Sequence, residues 1–295
     1  MIAGIDLGAS FIKAVVLDHR HHVINQRQAP TRDDHHTSGW MKEVAKMVFG
    51  LVEDYPEIQL VGMSAPGIPS EDNSRIQFMP GRLSGLEGHD WADYLGYPVF
   101  ILNDANAAML AESRLGVAQG YDPVILLTLG TGVGGSILIN GQLFTGYKQV
   151  GGHLGHLSVN MHSQVRSITG MPGSLEDAIG EASLSRRTKG SFHSTLDLIN
   201  SMEQGNEEAK AVWNESVKAL AIGLAALGNI ISPQLVILGG GIVAAGDILL
   251  DPLKAYLDEY EWRPGGKQFE LKIATAGSYA GAIGAGIFAS EKNKL

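Results

Sequence analysis

Two stretches of the chain carry the same pattern of apolar and polar positions. Residues 2–7 (Ile-Ala-Gly-Ile-Asp-Leu) form an apolar run interrupted by Asp6. Gly8-Ala9-Ser10 follow, and residues 11–17 are a second apolar run. Residues 124–129 are again apolar and lead into Gly130-Thr131-Gly132, before a further apolar run over 133–139. Short apolar runs on both sides of a glycine turn predict strand, turn, strand. Residues 23–29 extend the first copy by a third strand.

Helical spacing follows each hairpin. In 40–52 the apolar residues Met41, Val44, Ala45, Val48, Leu51 and Val52 recur on one face. Residues 58–63 and 99–102 read as short buried strands, ending at Ser64-Ala65-Pro66-Gly67 and Asn103-Asp104, with a helix over 105–115. In the second half, helices are expected over 175–189, 194–203 and 206–231, the last stopped by Pro233. Residues 235–238 form a strand running into Gly239-Gly240-Gly241. Residues 280–290 form a small-residue helix suited to close packing against a sheet or nucleotide. Strand–helix alternation in both halves predicts α/β sheets, with ligands at strand C-termini and helix starts.

A length of 295 residues suits about two domains, and 44% hydrophobic against 18% charged residues allows large cores. The net charge of −9 and the lack of a basic cluster argue against nucleic acid; Arg186-Arg187-Thr188-Lys189 reads as a solvated helix end. The absence of cysteine excludes disulfides and thiolate chemistry. No leader pattern and no long uninterrupted apolar stretch appear, so the expectation is a cytoplasmic protein without a membrane segment.

Chemistry is concentrated in the turns. Hairpins rich in backbone N–H groups grip phosphates, and Asp6 can hold magnesium directly or through water. A purely structural hairpin is the alternative. Gly130-Thr131-Gly132-Val133-Gly134-Gly135 also matches a dinucleotide fingerprint, but it runs into a strand where that fingerprint opens a helix. Asp104 is read either as a helix N-cap or as a general base accepting a hydroxyl proton. His153 and His156, three apart in a glycine-rich loop, suit polar contacts to a sugar better than a metal, which needs further ligands. Glu176 is either a first-turn acid or an acceptor for a polyhydroxylated ligand. Gly239-Gly240-Gly241 is either a strained loop or a close approach to a nucleoside.

Taken together, these segments resemble the ROK family of sugar kinases, within the actin-like, hexokinase-like ATPases. Asp6-Leu7-Gly8-Ala9-Ser10-Phe11-Ile12-Lys13 is similar to the family's D-x-G-G-T-x-x-K motif, with Ala9 and Ser10 in place of Gly and Thr. Asn103-Asp104-Ala105-Asn106 resembles N-D-x-N. The resemblance implies a two-lobed actin-like ATPase (ribonuclease H-like) α/β fold with a ligand cleft between the lobes. The expected lobes are 1–115, completed by 280–295, and 116–279.

It also implies an ATP-dependent hexose kinase with ATP and Mg²⁺, a small sugar substrate and a homodimer. Asp104 would be the catalytic base, and Asn103, His153, His156 and Glu176 sugar contacts, with Ser64, Pro66 and Gly67 as a further wall. Asp6, Gly8, Ala9, Ser10, Lys13, Gly130, Thr131, Gly132, Gly134, Gly239, Gly240 and Gly241 would bind nucleotide and metal. Glucose is the favoured sugar and N-acetylmannosamine the alternative, because the family's usual E-x-G-H is here His153-Leu154-Gly155-His156.

Where the family's zinc loop reads C-x-C-G-x-x-G-C-x-E, this chain has Ser167-Ile168-Thr169-Gly170-Met171-Pro172-Gly173-Ser174-Leu175-Glu176, so no structural zinc is expected. A sugar-responsive repressor of the same family is the rival reading. It would need a DNA-binding segment before the first phosphate motif, which begins at residue 2. A non-catalytic binding protein is a further rival, and the intact Asp6 and Asp104 argue against it.

Overall fold

A computed structural model describes residues 1–33, 39–79, 83–167 and 169–294. Ile168, within the stretch that replaces the family's zinc loop, lies outside the described residues.

The chain groups into two units. The first comprises Met1–Gly120, Leu143–Gly151 and Thr275–Leu295; the second comprises Tyr121–Gln142 and Gly152–Ala274. In the first, β1 (Ile2–Leu7), β2 (Phe11–Leu17) and β3 (Val23–Pro30) form an antiparallel meander. Helix α1 (Gly39–Asp54) leads to β4 (Leu60–Ala65), parallel to β1. A small hairpin of β5 (Ile68–Pro69) and β6 (Ile76–Phe78) and the short α2 (Trp91–Leu95) precede β7 (Val99–Asn103), parallel to β4. Helix α3 (Asp104–Leu115) starts directly on β7.

The second unit contains β8 (Val124–Leu129) and β9 (Val133–Ile139), an antiparallel hairpin; β10 (Gln142–Leu143) pairs beside β9 where the chain leaves this unit. Four helices follow: α4 (Leu175–Ile179), α5 (Glu181–Arg187), α6 (Thr195–Glu203) and α7 (Glu207–Ile231). Strand β11 (Leu235–Gly239) is parallel to β8; α8 (Asp247–Tyr260) leads to β12 (Glu270–Ile273), parallel to β11. Helix α9 (Ala280–Lys292) ends the chain.

The strand orders are β3-β2-β1-β4-β7 and β10-β9-β8-β11-β12. Counted by order of appearance within each sheet, both read 3-2-1-4-5, so the doubled hairpin is the visible edge of a doubled sheet. The central parallel strands β4 and β11 are buried along their length, as expected for strands covered on both faces.

Helix α9 packs within the first unit, and the small residues of its sequence explain how. A Cβ added at Gly4 or Gly62 would lie 2.0 or 1.9 Å from carbonyl oxygens of α9, and one at Gly284 would lie 1.8 Å from the Ala107 carbonyl of α3. The helix therefore rests on the sheet and on α3 backbone to backbone.

Three expectations need correction. The single helix over 175–189 is broken at Gly180, whose extended ψ of 140° separates α4 from α5. The strand expected from residue 58 starts at Leu60, because the Ile58 N–H turns back to Tyr55 O. The basic run at 186–189 is not fully solvated: Thr188 is buried, and Arg187 donates to Ser216 Oγ at 2.5 Å. Burial lowers the Arg187 pKa to about 10. No helix among the described residues is long and apolar enough to cross a membrane.

Candidate functional site

The first unit builds one end of its sheet around Asp6. At the β1–β2 turn the Gly8 N–H donates to Phe11 O at 3.1 Å, leaving Ala9 and Ser10 exposed. Thr31, fully buried just after β3, fastens this turn: its hydroxyl donates to Gly8 O at 2.7 Å and its N–H to Ser10 O at 3.0 Å. Lys13, opposite Asp6 in the ladder, donates to Ser278 O at 2.7 Å.

Asp6 is crowded. The Ser64 hydroxyl, fully buried at the end of β4, donates to Asp6 Oδ1 at 2.8 Å. Gly281, in the first turn of α9, approaches so closely that a Cβ there would lie 2.5 Å from Asp6 Cγ. Burial pushes the Asp6 carboxyl up to about 6; the Ser64 hydrogen bond opposes this, the Asp104 carboxylate adds to it, and Lys13 opposes it weakly.

Asn103 and Asp104 divide the labour at the start of α3. Asn103, not Asp104, is the N-cap: its side chain accepts from the Ala105 N–H at 3.0 Å, and its Nδ2 donates to Gly67 O at 3.1 Å. Asp104 is the first helical residue. Its side chain is exposed, but the protein around its carboxyl raises the pKa, against hydrogen bonds from the Ala105 and Asp104 N–H groups and Asn103. Gly67 holds φ at 101°, a left-handed value at which a side chain would meet Phe78 O. Pro66 is half-buried beside it.

In the second unit the β8–β9 turn is clasped by the broken helix. Glu181 and Ala182, at the start of α5, donate N–H groups to Gly130 O and Thr131 O, both at 2.9 Å. Glu176 on α4 accepts from the Val133 N–H at 3.0 Å. The carboxylate lies where a Cβ on Gly132 would stand, 2.4 Å from Oε2. Thr131 is exposed, while Gly130, Gly132 and Gly134 are half-buried. Gly240, at φ 90°, follows β11 with its Cα hydrogens against Leu129; a Cβ would lie 2.2 Å from Leu129 O. Gly239 is buried and Gly241 is open to solvent.

His153 and His156 stack, with ring centroids 6.2 Å apart and planes 14° from parallel. Gly155 between them packs onto the Val133 carbonyl, so this loop lies along the same hairpin. His156 Nδ1 is buried without a hydrogen-bond partner. The loop from Ser167 to Ser174 is closed by hydroxyls. Ser167 Oγ and Thr169 Oγ1 are 2.8 Å apart, and Ser174 caps α4 by accepting from the Asp177 N–H at 3.1 Å. Among the described residues no group of three or more His, Asp or Glu side chains is arranged to hold a metal.

The structure thus brings Asp6, Ser64, Lys13 and the Gly8–Ser10 turn together. It separately brings Glu176, His153, His156 and Gly240 to the second hairpin. Sequence reasoning missed Thr31, Gly281 and the Gly180–Glu181 break. Only the small-residue composition of 280–290 gave any signal of the second.

The ROK family model matches residues 2–292. This chain belongs to the ROK family. It is 29% identical to the glucokinase of Thermotoga maritima, over 99% of this chain and 98% of that one. The ROK hexokinase of Thermus thermophilus superposes with a TM-score of 0.85 at 28% identity, covering 99% of each chain. A ROK glucokinase from Streptomyces griseus, solved with glucose and AMPPNP, superposes at 0.81 with 26% identity, covering 98% of this chain and 99% of that one. Within this ROK chain the fold is the two-lobed actin-like ATPase fold of those sugar kinases.

Proposed function

We propose that this chain is an ATP-dependent hexose kinase, transferring the γ-phosphoryl group of ATP to the 6-hydroxyl of a sugar. Glucose is the favoured acceptor and N-acetylmannosamine the alternative. The observation that carries the reading is Asp104. It is an accessible carboxylate, fixed at a helix start by the Asn103 cap, and its surroundings make it more basic than usual. A carboxylate so placed is suited to accept a hydroxyl proton in the transition state.

In that reaction the sugar O–H proton passes to Asp104. The oxygen bonds to the γ-phosphorus while the bond to the β–γ bridging oxygen breaks, and ADP leaves. Asn103, His153, His156 and Glu176 are the proposed sugar contacts, with Pro66 and Gly67 as a wall. Ser64, spent on Asp6, acts as a positioning residue there. The N–H groups of Gly8, Ala9, Ser10, Gly130, Thr131, Gly132 and Gly134, with Lys13, are the proposed phosphate grip. Gly239, Gly240 and Gly241 are proposed to face the adenosine.

The residues present fit magnesium. Asp6 is a hard oxygen donor whose charge is penalised by burial and repelled by Asp104, so a cation would relieve it. Mg²⁺, when bound with ATP, neutralises phosphate charge; Asp6 would hold it directly or through its waters. The His156 Nδ1 without a partner fits a polar ligand in the loop of His153. The proposal extends to a cytoplasmic homodimer with no structural zinc.

The test is ADP release measured across a panel of hexoses. One hexose should stimulate turnover strongly. Asp104→Asn should lower it by roughly 10²–10⁴, the usual scale for a lost general base, while sugar binding persists. Unchanged turnover in that variant would refute the assignment. Sugar binding without any ADP release would favour the regulator reading.

A further inference from the structure

The second glycine hairpin is held by a side chain that the kinase reading assigns to the sugar. Glu176 Oε2 accepts the Val133 N–H at 3.0 Å and occupies the space beside Gly132 that only a missing Cβ leaves open. Its other oxygen, Oε1, has no hydrogen-bond partner among the described residues. The same helical pair holds the turn on its other side, through Glu181 N–H to Gly130 O and Ala182 N–H to Thr131 O. The hairpin's shape is thus set by where α4 and α5 place these three groups, and Gly180 is the break that lets both reach it.

We propose that Glu176 is a positioning residue for the phosphate-gripping hairpin, so that a sugar hydroxyl held on Oε1 strengthens nucleotide binding through Oε2 and the Val133 N–H. This inference rests on the kinase reading. The physical route is short. A half-buried glutamate with one free oxygen can leave this rotamer, and each departure releases the Val133 N–H and loosens the turn. A sugar hydroxyl on Oε1 removes those departures. The nucleotide then meets a turn that is already ordered, and the coupling is reciprocal by linkage.

The experiment is isothermal titration of the full chain with AMP-PNP, with and without saturating hexose, the hexose being that selected by the turnover panel. The wild-type dissociation constant should fall by roughly 5-fold or more in the presence of sugar, within the usual range of such couplings. Gly132→Ala places a methyl where Oε2 sits and should bring the ratio to about one. Glu176→Gln, which retains an acceptor oxygen, should keep part of the ratio, whereas Glu176→Ala should lose it.

A full wild-type ratio in Gly132→Ala would overturn the proposal. If that variant does not fold, a full ratio in Glu176→Ala would overturn it equally. A wild-type chain that binds both ligands with no ratio sinks the coupling and leaves the kinase reading standing. A wild-type chain that binds neither sinks both.

Discussion

Asp6 should make the protein less stable while it makes it active. Burial lifts its carboxyl from the ordinary 3.8 to about 6. An acid with a raised pKa in the folded state takes up protons on folding between those two values, so its contribution to stability falls as pH rises through that window. Below about pH 4 the group is neutral in both states and costs nothing. At pH 7 it is charged in both, and the folded state bears the cost. One pKa unit is worth about 1.4 kcal/mol, so the move from 3.8 to about 6 amounts to at most about 3 kcal/mol at pH 7.

Asp6→Asn removes the charge, and its amide oxygen still accepts from Ser64. It should raise Tm by up to roughly 6–12 °C at pH 7, taking about 2–4 °C per kcal/mol for a unit of this size. The gain should be roughly halved at pH 5 and nearly gone at pH 4. The assay is thermal unfolding of both proteins across that range, without nucleotide or magnesium. Adding Mg²⁺ with AMP-PNP should reverse the order, because only the wild type has the carboxylate to hold the cation. An Asp6→Asn protein less stable than wild type at pH 7, or a gain that does not shrink on acidification, would refute the reasoning.

Gly284→Ala forces a methyl into the Ala107 carbonyl and has no flexible neighbour to displace. It should lower stability by about 3 kcal/mol or more, read by denaturant unfolding. Glu112 is fully buried and accepts from Thr275, Ala276 and Val117 N–H groups at 2.7, 2.7 and 3.0 Å. Glu112→Ala orphans these donors at about 1–3 kcal/mol each, so the variant should express poorly or melt far below wild type. Purified protein should contain no stoichiometric zinc, and EDTA should leave Tm unchanged while abolishing turnover. Ser167→Ala, losing the Ser167–Thr169 bond, should cost about 1 kcal/mol. The acid limb of kcat should lie above the ordinary carboxylate range, because Asp104 must be ionised and its pKa is raised; a pH–rate profile checks this.

The β1–β2 and β8–β9 hairpins and the parallel strands β4, β7 and β11 were legible because their signal is local: an apolar run with a turn signal at its end; the β5–β6 hairpin and the less buried β12 carry no such run. Helix α8 was not, because Pro252 and scattered acids blur the spacing of Leu249, Leu253 and Leu257. The break at Gly180 was hidden for a different reason. Glu176 to Arg187 has ordinary helical periodicity, and what interrupts it is a demand from elsewhere in the unit: the Gly130 and Thr131 carbonyls need donors. The choice between the two readings of Asp104 stayed open for a similar reason. Asn and Asp both cap helices; here the Asn103 amide serves two partners at once, its oxygen capping α3 and its nitrogen donating to Gly67 O just after β4, which a carboxylate could not do. That choice leaves the Asp104 carboxylate accessible.

The two sheets share one strand order, but their turns are held by unlike means, and the difference fits the proposed chemistry. The first turn is fastened from the strand side by Thr31, and its acid packs against Gly281 in the first turn of α9. The Asp6 position is therefore fixed by backbone packing. Gly281, Gly284 and Gly4 leave no slack, as suits a group whose task is to keep one carboxylate in one place. The second turn is fastened by a helix pair through one side chain, Glu176, and two backbone donors. The Thr31 hydroxyl is fully buried, whereas the Glu176 carboxylate is only half-buried and has an oxygen to spare for a ligand. Duplication of the fold thus supplies two turns for the proposed phosphate grip, and under that proposal their fasteners make the first the anchor and the second the one that responds to the sugar.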